Sequence, residues 1–129
     1  MTTDERYLQN AGSDLSPVNC AISLDTEGYD ISDRGGDGGV YDAMFGIDLA
    51  LRPDTSPIFH IEAEKGIRDL FIVTRGGRTR VAFAQDFADT LRAADVPTPL
   101  IDVPLSHAGD PVDTLVTPPL VAFLERCFP

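Results

Sequence analysis

The chain has 129 residues, a length that suits one domain, with 43% hydrophobic and 24% charged residues, the balance of a globular protein. Ten Lys and Arg face 21 Asp and Glu, a net charge of −11, which argues against a nucleic-acid partner because phosphate neutralisation needs clustered cations. No apolar run approaches the ~18 residues of a membrane span, and the acidic start MTTDERYLQN has neither the basic nor the apolar region of a signal peptide.

In chain order, DERYLQNAG reads as a short helix closed by Gly12, and VNCAISL, residues 18 to 24, as a strand. DISDRGGDGG, residues 30 to 39, reads as a mobile surface connection, since no Lys-Ser/Thr follows it as a phosphate loop requires. GGVYDAMFG is a second short helix, closed by Gly46. DLFIVT, residues 69 to 74, and PLIDV, residues 99 to 103, are strands. All three strands are short and almost continuously apolar, as in a parallel sheet covered on both faces. Between the last two, VAFAQDFADTLRAA sets Phe83, Phe87, Leu91 and Ala94 on one helical stripe. TPPLVAFLERCF closes the chain as a helix with Thr117 as N-cap and Pro118 at its first position. The expected class is α/β, a parallel sheet with helices on both faces.

Cys20 and Cys127 have no motif spacing and lie in apolar runs, so they read as two buried thiols of a cytoplasmic protein. With two His and two Cys scattered, and no H-E-x-x-H or C-x-x-C pair, neither a metal nor a cofactor is expected.

Ligands of open parallel sheets bind beyond the carboxyl ends of the strands. Three loops are expected there: one with Asp25, Tyr29 and Asp30, one with Arg75, Gly76, Arg78 and Arg80, and one with Ser106, His107, Asp110 and Asp113. Asp30 is expected to close a turn on backbone N–H groups, the Arg75–Gly76 pair to make a tight strand-to-helix turn, and His60 to make a structural hydrogen bond.

Several stretches carry a resemblance. SPIFHI (56–61), DLFIVTRGG (69–77), AQDFADTLRAADVPTPLIDVPLSHAGDP (84–111) and TPPLVAFLERCF (117–128) follow one another in an order that resembles the C-terminal portion of the α/β-hydrolase superfamily, in its esterase, lipase and kynurenine-formamidase-like branch. TDERYLQNAGSDLSPVNCAISLDTEGYD (3–30) resembles the segment of that branch that follows the nucleophile helix.

The resemblance implies that residues 1–129 are a single partial domain, the C-terminal part of an α/β-hydrolase fold. It implies a serine hydrolase of esters or amides with His107 as the base that takes and returns the serine proton. None of the six serines lies in a G-x-S-x-G elbow, which the family pattern would put upstream of Met1, together with the oxyanion hole. The family's usual acid position falls in RGGRTR, near Thr79, which carries no charge. The acid is then Asp25, Asp113 or a residue outside this chain, with Asp25 the nearest substitute.

Two functions follow from different classes. One is a hydrolase portion, inactive alone, that acts on a small ester or amide when completed by an N-terminal half. The other is a non-catalytic remnant or partner-binding module that uses, or self-associates through, an open sheet edge. Neither involves a membrane. A nucleotide-binding module is the weakest reading, because SLDTEGYD has one glycine where a Gly-rich turn is needed.

Overall fold

The computed structural model describes residues 3–24, 28–104 and 112–129. Its centre is a three-stranded parallel sheet in the order β1 (Cys20–Leu24), β2 (Asp69–Arg75), β3 (Leu100–Val103). The helices are α1 (Arg6–Asn10), α2 (Val40–Phe45), α3 (Arg52–Thr55), α4 (Arg78–Ala93) and α5 (Thr117–Cys127). The class is thus a small α/β fold, with each strand within two residues of its sequence-derived limits.

β2 is the centre because its sequence tolerates burial on both faces. Leu70 to Thr74 are all buried. Alternation sends Leu70 and Ile72 to one side, where they pack on Ala84, Phe87, Ala88 and Leu91 of α4. It sends Phe71 and Val73 to the other, against Phe123 and Cys127 of α5. Tyr29 completes the first layer, its ring stacked 4.3 Å from that of Phe87 and its hydroxyl 2.7 Å from Ser23 Oγ. Tyr29 is therefore a core residue. In the second layer the Phe71 and Phe123 rings lie 5.2 Å apart.

The expected stripe on α4 is present: Phe87 and Leu91 are buried, with Phe83 and Ala94 packed at its margins. The helix ends where Asp95 takes a left-handed backbone, φ 60°, and Val96 N–H returns to the Leu91 carbonyl. Arg92 fixes the turn into β3 by donating from Nε and Nη2 to the Thr98 carbonyl at 3.1 and 2.6 Å. α5 departs from expectation at its start. A π-type turn over Val112–Val116 feeds straight into it, so the cap position falls on Val116, itself in helical backbone, and Thr117 is already the first helical residue.

The glycine-rich stretch also departs from expectation. It is organised around Asp42, whose carboxylate accepts from the Gly36 and Gly38 backbone N–H groups at 2.7 to 2.9 Å. Arg52 Nη2 donates to the same carboxylate at 2.8 Å. Arg52 has no exposed surface, and its guanidinium also donates to the Tyr41 and Gly46 carbonyls. Gly35, at φ +104°, passes so close to this pair that a Cβ there would run into the Arg52 guanidinium and the Asp42 carboxylate. Composition suggested mobility; a buried ion pair supplies the missing core.

The cysteines overturn the reading as free thiols. Cys20 opens β1, Cys127 ends α5, their Cα atoms are 6.0 Å apart, and their sulfurs form a disulfide across a separation of 107 residues. Closing a loop of that order removes about 4 to 5 kcal/mol of unfolded-chain entropy in the simplest treatment. The cysteines consequently give no support to a reducing compartment. No helix among the described residues is long and apolar enough to cross a membrane.

Two stability tests follow. Phe123→Ala removes a ring with no exposed surface from the α5 layer, and an urea titration is expected to show a loss of about 3 to 5 kcal/mol with an unchanged slope. Asp42→Asn leaves the buried Arg52 charge uncompensated and is expected to lower the unfolding midpoint sharply, whereas Asp37→Asn, at the exposed rim of the same loop, leaves it within experimental error.

Candidate functional site

The carboxyl end of a parallel sheet is where its loops converge. β1 ends at Leu24 opposite Val73, and β3 ends at Val103 opposite Arg75, so β3 runs two residues further along β2 than β1 does. With strands about 4.8 Å apart and a rise of about 3.3 Å per residue, the segments that leave them start about 12 Å from each other. Asp25 follows β1 directly and His107 follows β3 by four residues. Both lie outside the described residues, as does Asp110, and of Asp113 only the backbone turn is described.

Between them, β2 ends in Arg75-Gly76-Gly77. Gly76 has φ +140°, and a Cβ there would stand 2.8 Å from Arg80 Cδ. The tight strand-to-helix turn expected of this segment is what forms: Gly77 caps α4, and Arg80 folds back to donate to the Arg75 carbonyl at 3.2 Å. Thr79 sits in the first turn of α4 and brings no charge. Asp102 is a carboxylate the sequence reading did not weigh. It pairs with Thr74 near the end of β3, is exposed, and shares a cavity with Gly76, Arg78 and Gln85. An acid within an apolar strand, IDV, was the available signal.

An apolar space lies beside the β1 loop. A cavity of about 630 Å³ is walled by Ile31, Val40, Tyr41, Met44, Phe45 and Pro57, and reaches Gly28 at the exit of the Asp25 segment. A smaller one of about 350 Å³ shares Thr3, Gly28 and Pro57 with it and continues along Ala21 to Leu24 of β1. The volumes fall in the range of small-molecule sites. Since α2 supplies Val40, Tyr41, Met44 and Phe45, the Asp42–Arg52 pair that anchors α2 also shapes the cavity.

One end of the cavity is polar and satisfied. Arg6 grips Asp4 from Nε and Nη2 at 2.9 and 2.8 Å and reaches Asp54 from Nη1 at 2.7 Å. His60 Nε2 donates to the Asp54 carbonyl at 2.7 Å, the structural hydrogen bond expected of it, and lies 3.8 Å from Asp4. The Arg6 hydrogen bonds, with help from the His60 side, hold the Asp4 carboxyl far below the ordinary carboxylate range despite its burial. A group so firmly ionised is a brace between α1 and the Asp54–His60 segment. It is a poor proton donor or acceptor near neutrality. Asp30 likewise closes the expected turn, accepting from the Ser32 N–H at 2.9 Å. Among the described residues, no group of three or more His, Cys, Asp or Glu side chains is placed to hold a metal.

Comparison with protein-family models, curated proteins and solved structures gives no match. The functional argument therefore rests on residues and geometry.

Because the Asp4 carboxyl is depressed in the folded state, its stabilisation is complete above the ordinary value of 3.8 and is lost as acid protonates it. The melting-temperature gap between the parent chain and Asp4→Asn is expected to stay constant from neutral pH to about 5 and to narrow below the carboxylate range, as read by thermal melts across pH.

Proposed function

We propose that this chain is the C-terminal portion of a serine hydrolase that cleaves small carboxylic esters or amides, with His107 as general base and Asp25 as the acid that orients it. The observation that carries the reading is the sheet itself. Three sequence-consecutive strands run parallel, side by side, and their two outer members release the Asp25 and His107 segments at the same end of the sheet, about 12 Å apart at their start. That arrangement suits an acid and a base contributed by different loops to one imidazole. The apolar cavity that begins at Gly28 supports the reading further, because the acyl or aryl group of a substrate needs a dry wall next to the reacting carbonyl.

On this reading the chain is inactive alone. His107 has no serine to deprotonate in a G-x-S-x-G turn, and the backbone donors for the oxyanion are missing with it. The purified 129-residue chain is expected to hydrolyse p-nitrophenyl acetate no faster than free imidazole. Serine-type turnover abolished by His107→Ala would end the idea that the nucleophile is supplied from elsewhere. An upstream in-frame G-x-S-x-G segment, co-expressed with this chain, is expected to restore turnover that His107→Ala removes.

A second reading, a non-catalytic module that binds a partner or a second copy through its sheet edge, is favoured by one observation. Among the described residues β1 pairs only with β2, and Ile22 and Leu24 on it are 40% and 61% exposed. An unpaired, apolar edge of this kind is a pairing site. Ile22→Lys is expected to suppress any concentration-dependent association seen by sedimentation without changing the monomer's melting temperature.

A further inference from the structure

At the opposite, amino end of the sheet lies a cavity of about 580 Å³ lined by Asn19, Arg68, Asp69, Arg126, Cys127 and Pro129. Cys127 forms one wall, with its sulfur bonded to Cys20 at the start of β1. Two exposed guanidinium groups flank it. Arg68 Nη1 donates to Asn19 Oδ1 at 3.0 Å, and Arg126 Nη1 donates to the Ala122 carbonyl at 3.1 Å, with its guanidinium carbon 5.6 Å from the Phe123 ring. Each arginine thus has donors left over for a ligand, since a guanidinium carries five N–H groups. Against the two arginines stands one carboxylate of the lining, Asp69, so the lining side chains carry a net charge of +1 in a chain of net charge −11.

We infer that the Cys20–Cys127 bond is an exchangeable redox clasp, opened and closed through this cavity by a small anionic thiol of the glutathione class. The inference stands whether or not the chain belongs to a hydrolase. The arginines fit it in two ways: they draw in the carboxylates of the thiol, and they stabilise the Cys127 thiolate as a leaving or attacking group. In the reductive direction the thiolate of one glutathione attacks Cys127 Sγ. The bond to Cys20 breaks, and the Cys20 thiolate takes a proton from water. A second glutathione thiolate attacks the mixed disulfide, releasing oxidised glutathione and the Cys127 thiolate, which is protonated in turn. Two electrons and two protons reach the protein, and oxidised glutathione reverses the sequence. Cys127 is the cysteine attacked because it, and not Cys20, is among the residues lining this cavity, where 8% of its surface stays exposed.

The clasp joins the first residue of β1 to the last residue of α5. When it opens, Phe123 and Val116 still hold α5 on β2 and β3, so the chain stays folded while the last helical turn loosens.

The test uses the full 129-residue chain and two reductants, glutathione and the neutral thiol 2-mercaptoethanol. After equilibration with oxidised glutathione, iodoacetamide and mass measurement are expected to find neither cysteine alkylated. Reduced chain is expected to keep its far-ultraviolet spectrum, to melt at a lower temperature, and to lose hydrogen-exchange protection in the last turn of α5. The Arg68→Gln, Arg126→Gln double variant is expected to be reduced by glutathione about tenfold more slowly, with the 2-mercaptoethanol rate unchanged. Arg68→Lys, Arg126→Lys should restore most of the glutathione rate. Two alkylated cysteines after oxidation, or equal effects of the double variant on both thiols, would overturn the proposal. Both arginines are exposed, so their replacement leaves the core intact, and a thermal melt of each variant checks this.

Discussion

Burial of β2 on both faces is the constraint from which the remaining structure follows. A strand whose side chains are all sequestered needs a layer above and a layer below, and a neighbour on each side for its N–H and C=O groups. α4 and α5 supply the layers; β1 and β3 supply the neighbours. The parallel direction then follows from the connections, because each crossover returns the chain to the amino end. It also fixes where chemistry is available: every strand delivers its outgoing loop to the same edge.

A second, smaller centre lies away from the sheet. The Asp42–Arg52 pair works as a polar core for a segment too rich in glycine to build an apolar one. The chain wraps its backbone N–H groups and carbonyls around two opposite charges, and the aromatic and aliphatic residues of α2 are thereby turned toward Ile31 and Pro57. The apolar cavity beside the β1 loop is thus defined jointly by one ion pair and by the Arg6–Asp4–Asp54 brace that closes its far end.

What the sequence disclosed was governed by range. Periods of two and 3.6 are local, so the three strands and the stripe on α4 could be read off a few residues each. The structural hydrogen bond of His60 and the turns at Asp30 and Gly76 were also local. Pairings across the chain were not readable. Nothing near Asp42 names Arg52 as its partner, and nothing near Cys20 names Cys127. The glycine run therefore passed for a tether, and the cysteines for separate thiols. Thr117 misled for a related reason: a capping residue signals a helix start only when the preceding backbone is not already helical, and here a π-type turn runs into it. The family resemblance that assigned roles to His107 and Asp25 draws on the order of whole segments. It reaches beyond both periodicity and the described geometry.

The order of strands in the sheet also has a consequence for how the polypeptide acquires its shape. β2, α4 and β3 are consecutive and separated by short turns, so their mutual packing closes only small loops. β1 meets β2 only after the whole excursion that contains α2 and α3 has been drawn in, a larger entropic toll. The α4 hairpin-like unit is thereby the natural nucleus, and β1 is the late arrival, zipped onto a template that already exists.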